Sequence, residues 1–255
     1  MNILVTNDDG IHAEGLRCLV QHLKLKKSGR VTVVAPLLES SAMGHAITMD
    51  HPLRVEKVYD QGEFFGFGVS GTPADCVKLA IREILRDKPD WVLSGINRGE
   101  NSAVNIIYSG TVSAATEAAI LSCSAMAISL VNGVDASFDT AAVWSLRLWD
   151  QVRDKTLPQD TFLNVNVPAL VSEKIKGIKV AVQGRSRFIE QFDKRVDPRG
   201  REYYWLAGDE MSKESLDHFD DKVLKDGYVS LTPLHCDLTN HGFLGALREW
   251  VNHGG

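Results

Sequence analysis

Cysteine is scarce in this 255-residue chain, and its four copies, Cys18, Cys76, Cys123 and Cys236, stand far apart without a C-x-x-C pair. That spacing argues against a metal knuckle or a dithiol redox motif and for four reduced residues used in packing. Long apolar runs are missing too. No stretch reaches the roughly 18 residues of a membrane span, and "MNILVT" enters a strand without a basic, apolar leader, so a cytoplasmic protein is expected. Positive charge is not in excess: 28 Lys and Arg against 33 Asp and Glu leave −5, which disfavours nucleic acid polymers or an anionic membrane as the main partner. There is no G-x-x-x-x-G-K-[ST] loop, no H-E-x-x-H, no histidine cluster of zinc spacing, no internal repeat and no low-complexity linker. Composition is otherwise ordinary for a chain able to bury a sizeable core, with 44% hydrophobic and 24% charged residues.

What is present is a rhythm. Over the first 130 residues, short apolar runs alternate with amphipathic segments, as in a parallel sheet covered by helices, an α/β fold. "NILVT" and "RVTVVAP" predict the first two strands. Between them "AEGLRCLVQHLKLKK" places Leu16, Leu19, Val20 and Leu23 at helical spacing, with lysines at the end that suits the helix dipole. "PLRVEKV" and "EFFGFGV" suggest a hairpin outside the parallel order. Thr72 as N-cap, Pro73 at the first helical position and Asp75 in the first turn start a helix through "CVKLAIREILRD". "DWVLSG" and "AMAISL" are buried strands flanking a helix in "SGTVSAATEAAIL", whose Ala114, Ala115, Ala118 and Ala119 permit close approach to a sheet. A further helix runs through "TAAVWSLRLWDQV".

Beyond about residue 160 the alternation is lost. "FLNVNVP", "GIKVAVQG" and "GYVSLTPL" read as strands, and "GFLGALREWV" as a short amphipathic helix. Two charged, aromatic segments around Pro198-Arg199-Gly200 read as a long hairpin or an arm. The expected division is a core over residues 1–160. Residues 161–255 then complete the sheet and add a hairpin near 184–208 and the C-terminal helix.

In open α/β sheets, ligands bind beyond the carboxyl ends of the strands, where the strand order reverses. Asp8 and Asp9 follow the first strand directly. One Asp would serve as a helix cap, with Gly10 fitting a turn; two, with Asn7 beside them, suggest a hard cation held by oxygens. "VLSGINRGEN" ends another strand and offers the amide oxygens of Asn97 and Asn101, although an Asx-stabilised turn would use the same residues. "YSGTVSAAT" leads into a helix, and Ser109, Gly110 and Thr111 there offer hydroxyls and N–H groups to phosphate or to ordinary capping. Gly66, Gly68 and Gly71 satisfy G-x-G-x-x-G, but not in the first βα turn, and Asp90 stands at the wrong end of the next strand for a dinucleotide site. His45, between glycine and a possible strand, is the one histidine of interest.

Taken together, these stretches resemble the SurE family of metal-dependent nucleotidases. The resemblance is carried by "TNDDGIHA" at 6–13, "GHAIT" at 44–48, "GTPADCVKLA" at 71–80, "SGINRG" at 94–99 and "YSGTVSAA" at 108–115. "NVNVP", "DPRGREYYW" and "GYVSLTPLHCDLT" extend it towards the C-terminus. It implies a Rossmann-like core with a C-terminal extension exchanged between subunits, hence a homodimer or homotetramer. It also implies removal of phosphate from nucleoside 5′- and 3′-monophosphates, sometimes from short polyphosphate, with one magnesium or manganese ion. The family's metal ligands fall on Asp8, Asp9 and Asn97, and its serine on Ser41, counted from Pro36 and from Gly44. Leu37, Leu38 and Ala42 stand where Asp, Arg and Gly are usual, Glu14 stands where proline is common, and "NSAVN" replaces the frequent "NLGDD".

Two carboxylates, a hydroxyl and an amide form an oxygen-only set of net charge −2, suited to magnesium, manganese or calcium. In this reading Asp9 also orients or deprotonates the attacking water. Ser109, Gly110 and Thr111 hold the phosphate with Asn101, Asn7 is a possible further site residue beside the aspartates, and His45 or a metal-bound water is the candidate acid for the leaving oxygen. Two other readings remain open: an aspartyl-phosphate phosphatase, although adjacent aspartates are not its Asp-x-Asp, and a nucleotide-binding regulatory module without turnover.

Overall fold

The computed structural model describes residues 1–211 and 216–252; positions 212–215 and 253–255 of the expected C-terminal portion lie outside the described residues. Eleven strands and six α-helices follow one another along them. The first half runs β1 (Asn2–Thr6), α1 (Glu14–Leu25), β2 (Arg30–Pro36), β3 (Val55–Asp60), β4 (Glu63–Val69), α2 (Pro73–Leu79), β5 (Trp91–Arg98), α3 (Gly110–Ile120) and β6 (Ser124–Leu130). The second runs α4 (Phe138–Val152), β7 (Thr161–Val167), β8 (Ile178–Val180), β9 (Arg187–Val196), β10 (Glu202–Met211), α5 (Asp220–Lys225), β11 (Val229–His235) and α6 (Leu244–Asn252).

Nine strands form one sheet in the order β3-β4-β2-β1-β5-β6-β7-β11-β8. From β4 to β7 every neighbouring pair is parallel. From β1 the chain crosses through α1 to β2 on one side, and later returns through α2 to β5 on the other, so the strand order reverses between β1 and β5. The expected α/β fold, a mostly parallel sheet flanked by helices, is therefore present. β1 explains its own burial by period-two alternation. Ile3 and Val5 face Leu16, Leu19 and Leu23 of α1 with Leu146 and Trp149 of α4, while Leu4 faces Cys76 and Val77 of α2 with the alanines of α3. Both faces are covered, which is why the parallel strands read as continuous apolar runs.

Helix signals translated closely. Thr72 Oγ1 accepts from Asp75 N at 3.1 Å and Asp75 Oδ2 accepts from Thr72 N at 3.0 Å, a complete capping box with Pro73 at the first position. Ala114, Ala115, Ala118 and Ala119 all lie in the core, as close packing of α3 on the sheet requires. The β3–β4 hairpin is antiparallel as expected, but it is not outside the order, because β4 pairs in parallel with β2. The glycines that imitate a dinucleotide fingerprint make this pairing possible. A Cβ at Gly66 would stand 2.7 Å from Val33 O, and one at Gly68 2.3 Å from Leu37 Cδ2.

After β7 the pattern is looser. "GIKVAVQG" yields only the three residues of β8, and α5 has no counterpart in the expectations from sequence. The expected hairpin is present: β9 and β10 pair antiparallel about the Pro198-Arg199-Gly200 turn, where Gly200 has φ +79° and Asp197 Oδ1 accepts from the N–H of Arg199 and Arg201 at 2.8 and 2.9 Å. These two strands form a sheet of their own, and Tyr203, Tyr204, Trp205 and Leu206 on it are exposed.

Candidate metal and phosphate site

β1 ends at Thr6, so Asn7 to Gly10 form a turn beyond the sheet rather than an extended strand, and adjacent aspartates need not diverge. Asn7 Nδ2 donates to Gly10 O at 2.9 Å, and Gly10 takes φ +96°, a conformation glycine adopts freely. Ile11 N donates to Pro36 O at 2.8 Å and Ser40 N to Asp8 O at 2.8 Å, which ties the segment after β2 to this turn. Asn7 Oδ1 is buried and finds no hydrogen-bond partner among the described residues.

Asp8 is 4% exposed and turned to the start of α3. Its carboxylate accepts from the Thr111 hydroxyl and from the backbone N–H groups of Gly110 and Thr111. The approach depends on glycine, because a Cβ at residue 110 would come within 2.7 Å of Asp8 Cβ. Burial nevertheless pushes the Asp8 carboxyl above its ordinary range, against the pull of these donors. Asp9 is half-buried and lines a cavity of about 410 Å³ with Glu39, Ser41, Arg98 and Asn132. Burial, then the charges of Asp8 and Glu39, raise its pKa to about 6, while the backbone N–H and guanidinium of Arg98 act in the opposite direction. Asp8, Asp9, Glu39 and Glu14 thus converge on one guanidinium, Arg98, which Glu14 also approaches at 3.7 Å. Their excess negative charge, with the orphaned Asn7 oxygen nearby, fits a divalent cation and not a further anion.

The other expected ligands occupy neighbouring strand ends. Ser41 opens onto the same cavity and donates its hydroxyl to Glu39 Oε1 at 2.8 Å. Asn97, at the end of β5, donates Nδ2 to Gly99 O at 2.6 Å, which fixes the amide group and leaves its oxygen available. Ser109 is the N-cap of α3 and accepts from Val112 N at 3.1 Å. Gly110 and Thr111 follow it, and their N–H groups face Asp8. The set drawn from β1, the β2 loop, β5 and α3 therefore lies around the point where the strand order reverses.

Two expected residues sit differently. Asn101 is 7% exposed, with Nδ2 donating to Ser129 Oγ at 2.8 Å, its N–H to Asn166 Oδ1 at 2.7 Å and its carbonyl accepting from Asn164 Nδ2 at 2.8 Å. Its amide nitrogen is committed to this interior network, which locks the loop between β5 and α3. His45 Nε2 lies 2.9 Å from Glu117 Oε2, and Lys78 Nζ donates to Glu117 Oε1 at 2.5 Å. Gly44 N donates to Tyr108 O at 3.0 Å, holding the His45 loop beside the residue that precedes Ser109.

Glu39, Arg98 and Asn132 were not anticipated. Arg98 lies inside "SGINRG", and Asn132 follows β6 at the same end of the sheet as the expected site residues, so position at a strand end was the available signal. Glu39 carried none, being an acidic residue in an ordinary-looking loop.

A family model described as "Survival protein SurE" matches residues 3–190. The chain is 46% identical over 250 residues to the 5′-nucleotidase SurE of Syntrophobacter fumaroxidans, covering 98% of this chain and 99% of that protein. It is 47% identical over 251 residues to the 5′-nucleotidase SurE of Geobacter sulfurreducens, covering 98% and 94%. Among solved structures, the SurE protein from Aquifex aeolicus superposes with a TM-score of 0.85 at 41% identity, covering 98% of this chain and all of that one.

Proposed function

The chain belongs to the SurE family and is a metal-dependent nucleotidase, a nucleoside monophosphate phosphatase, and from that premise we propose that Asp8, Asp9, Ser41 and Asn97 hold its divalent cation. The observation that supports the assignment is the convergence of Asp8, Asp9 and Glu39 at the sheet's reversal point, where among the described residues Glu14 adds a further carboxylate and shares Arg98 at 3.7 Å. Oxygen-only ligands select magnesium or manganese. When bound, such an ion supplies electrophilic polarisation of the phosphoryl group and lowers the pKa of a coordinated water.

The remaining work falls to the chain. Asp9, facing the cavity, orients the attacking water and accepts its proton. The N-terminal turn of α3 presents the N–H groups of Gly110 and Thr111 and the hydroxyls of Ser109 and Thr111, a concentration of donors with the positive end of the helix dipole behind it. Asp8 engages these donors in the structure, and a phosphoryl group uses the same set. Arg98 reaches the cavity rim, where its charge attracts an anionic ester. Asn101 acts by holding the loop that carries Ser109. His45, tethered to Glu117, and a metal-bound water are the two candidate acids for the leaving oxygen. An aspartyl-phosphate route is disfavoured, since the adjacent Asp8 and Asp9 are not the Asp-x-Asp pair that chemistry uses.

Activity on 3′-monophosphates and short polyphosphate belongs to the same proposal. So does assembly as a homodimer or homotetramer through residues 161–255, supported by the exposed aromatic surface of the separate β9–β10 sheet. Among the described residues no helix is long and apolar enough to cross a membrane. Four free thiols suit a reducing compartment and support the cytoplasm. Phosphate release from a panel of 5′- and 3′-nucleotides, with chelator and with added magnesium or manganese, tests the assignment. Undiminished release from fully demetallated protein would overturn it.

A further inference from the structure

Cys18 and His22 stand one turn apart on α1, a spacing that puts both on one face. That face meets the first turn of α4. His22 Nε2 is 2.9 Å from Asp139 Oδ1, and the Cys18 thiol donates to the same oxygen at 3.7 Å. One ligand atom from each of the three residues lies within 4.8 Å of the others. An acid in the first turn of α4 serves the helix dipole by itself. The dipole does not require a thiol and an imidazole to converge on that acid.

We propose that Cys18, His22 and Asp139 form a second cation site, separate from the carboxylate site, for a divalent ion of the zinc class. Thiolate sulfur, imidazole nitrogen and carboxylate oxygen are the ligand types zinc takes from proteins, whereas magnesium prefers oxygen alone. Three ligands leave a fourth position for solvent. The cluster is open to it, with side-chain exposures of 22% for His22 and 82% for Asp139. Binding balances simply: the Cys18 S–H bond breaks, its proton goes to solvent, and thiolate and carboxylate together offset the two charges of the ion. Without a cation, burial together with Asp139 and Glu14 pushes the thiol up to about 12, so a proton fills the place the ion would take.

The location gives the site a consequence. A cavity of about 590 Å³ beside it is lined by Glu14, Cys18, Arg98, Phe138 and Asp139 among others. Glu14, Arg98 and Phe138 also line the cavity that holds Asp9. An ion bridging α1 and α4 therefore clamps two walls of the catalytic cleft. No local spacing announces it, because His22 and Cys18 lie 117 and 121 residues from Asp139.

The test is zinc titration of the full chain carrying Asp8→Asn and Asp9→Asn, which removes the carboxylate site and keeps the two sites distinguishable. The wild-type chain in excess magnesium is the parallel arm should the double variant not fold. We expect one zinc per chain, with cobalt in its place giving a thiolate charge-transfer absorption that Cys18→Ser abolishes. His22→Gln and Asp139→Asn should each weaken zinc by about tenfold or more, and the exposed Asp139 allows this without disturbing packing. Zinc bound with equal affinity in all three ligand variants, or no zinc bound in either arm, would overturn the site.

Discussion

Two nearly buried carboxylates meet α3, one at its first turn and one midway along it, and they are treated in opposite ways. Asp8 is 4% exposed and Glu117 2%. Burial works against the charge on both. Glu117 is nevertheless held below the ordinary carboxylate range by its hydrogen bonds with His45 and Lys78 and by the Lys78 charge. Asp8 receives only neutral donors from Gly110 and Thr111, with Asp9 beside it, and its carboxyl is pushed up. Glu117, which fixes the architecture, has the Lys78 charge beside it, whereas among the described residues the groups that favour the Asp8 carboxylate are neutral donors. A cation at the sheet's reversal point, as proposed, would complete the second.

The widest separation between the two should come from removing each charge in turn. Asp8→Asn should lower nucleotidase turnover by more than the roughly 10–100-fold that outer-sphere changes at metal sites produce, while thermal stability in chelator holds or rises, since an unanswered charge has gone. Phosphate release and a melting curve on the same preparation check both halves, and near-normal turnover would break the comparison. Glu117→Gln should do the reverse. Its partners are about one-third exposed or more, so the loss is about 2 kcal/mol rather than the larger cost of a fully buried pair, seen as a shift in the denaturant midpoint.

The pH dependence sharpens the contrast by about 1–2 kcal/mol once the solvent-facing part of Asp9 is discounted. A carboxyl whose folded pKa exceeds its unfolded one binds its proton more tightly in the native state. The contribution is fully present below the ordinary value of 3.8 and is lost as pH rises through about 6. Metal-free protein should therefore lose stability between about pH 4 and 6.5, and added magnesium should remove the slope. A flat metal-free profile would mean that Asp9 is not strained by its neighbours. Glu117, lowered instead, contributes in the opposite sense, losing stability only in stronger acid.

Much of this was legible before any coordinate. Thr72, Pro73 and Asp75 announced α2 because capping is local, and Asp8, Asp9 and Asn97 stood out because they follow apolar strands that can only be central. What could not be read was side-chain commitment. Asn101 has the chemistry of a ligand, yet its amide nitrogen is spent on Ser129, and the pairing depends on β5, β6 and β7 being neighbours. Nothing local marks Glu117 on its alanine-rich helix, because its two partners come from segments 39 and 72 residues away. The reason for the β4 glycines was hidden in the same way, since what forbids a side chain there is Val33 of β2 and Leu37 just beyond it, not a ligand.

The smallest effect tests Ser109, where capping and phosphate binding overlap in one side chain. Its oxygen accepts from Val112 N at 3.1 Å, so Ser109→Ala should destabilise by about 1 kcal/mol whatever the residue does in catalysis. The hydroxyl proton is not used in that bond and is the part available to substrate. Ser109→Asp keeps an accepting oxygen at the cap, restores stability, and places a negative charge where a phosphoryl group would approach. If Ser109 only caps, activity should follow stability and return in the Asp variant. If it holds phosphate, KM should rise in both variants and further in Asp, while the melting temperature recovers. That divergence would place the donor face of α3 with the substrate, and Asp8, on the same helix end, with the cation.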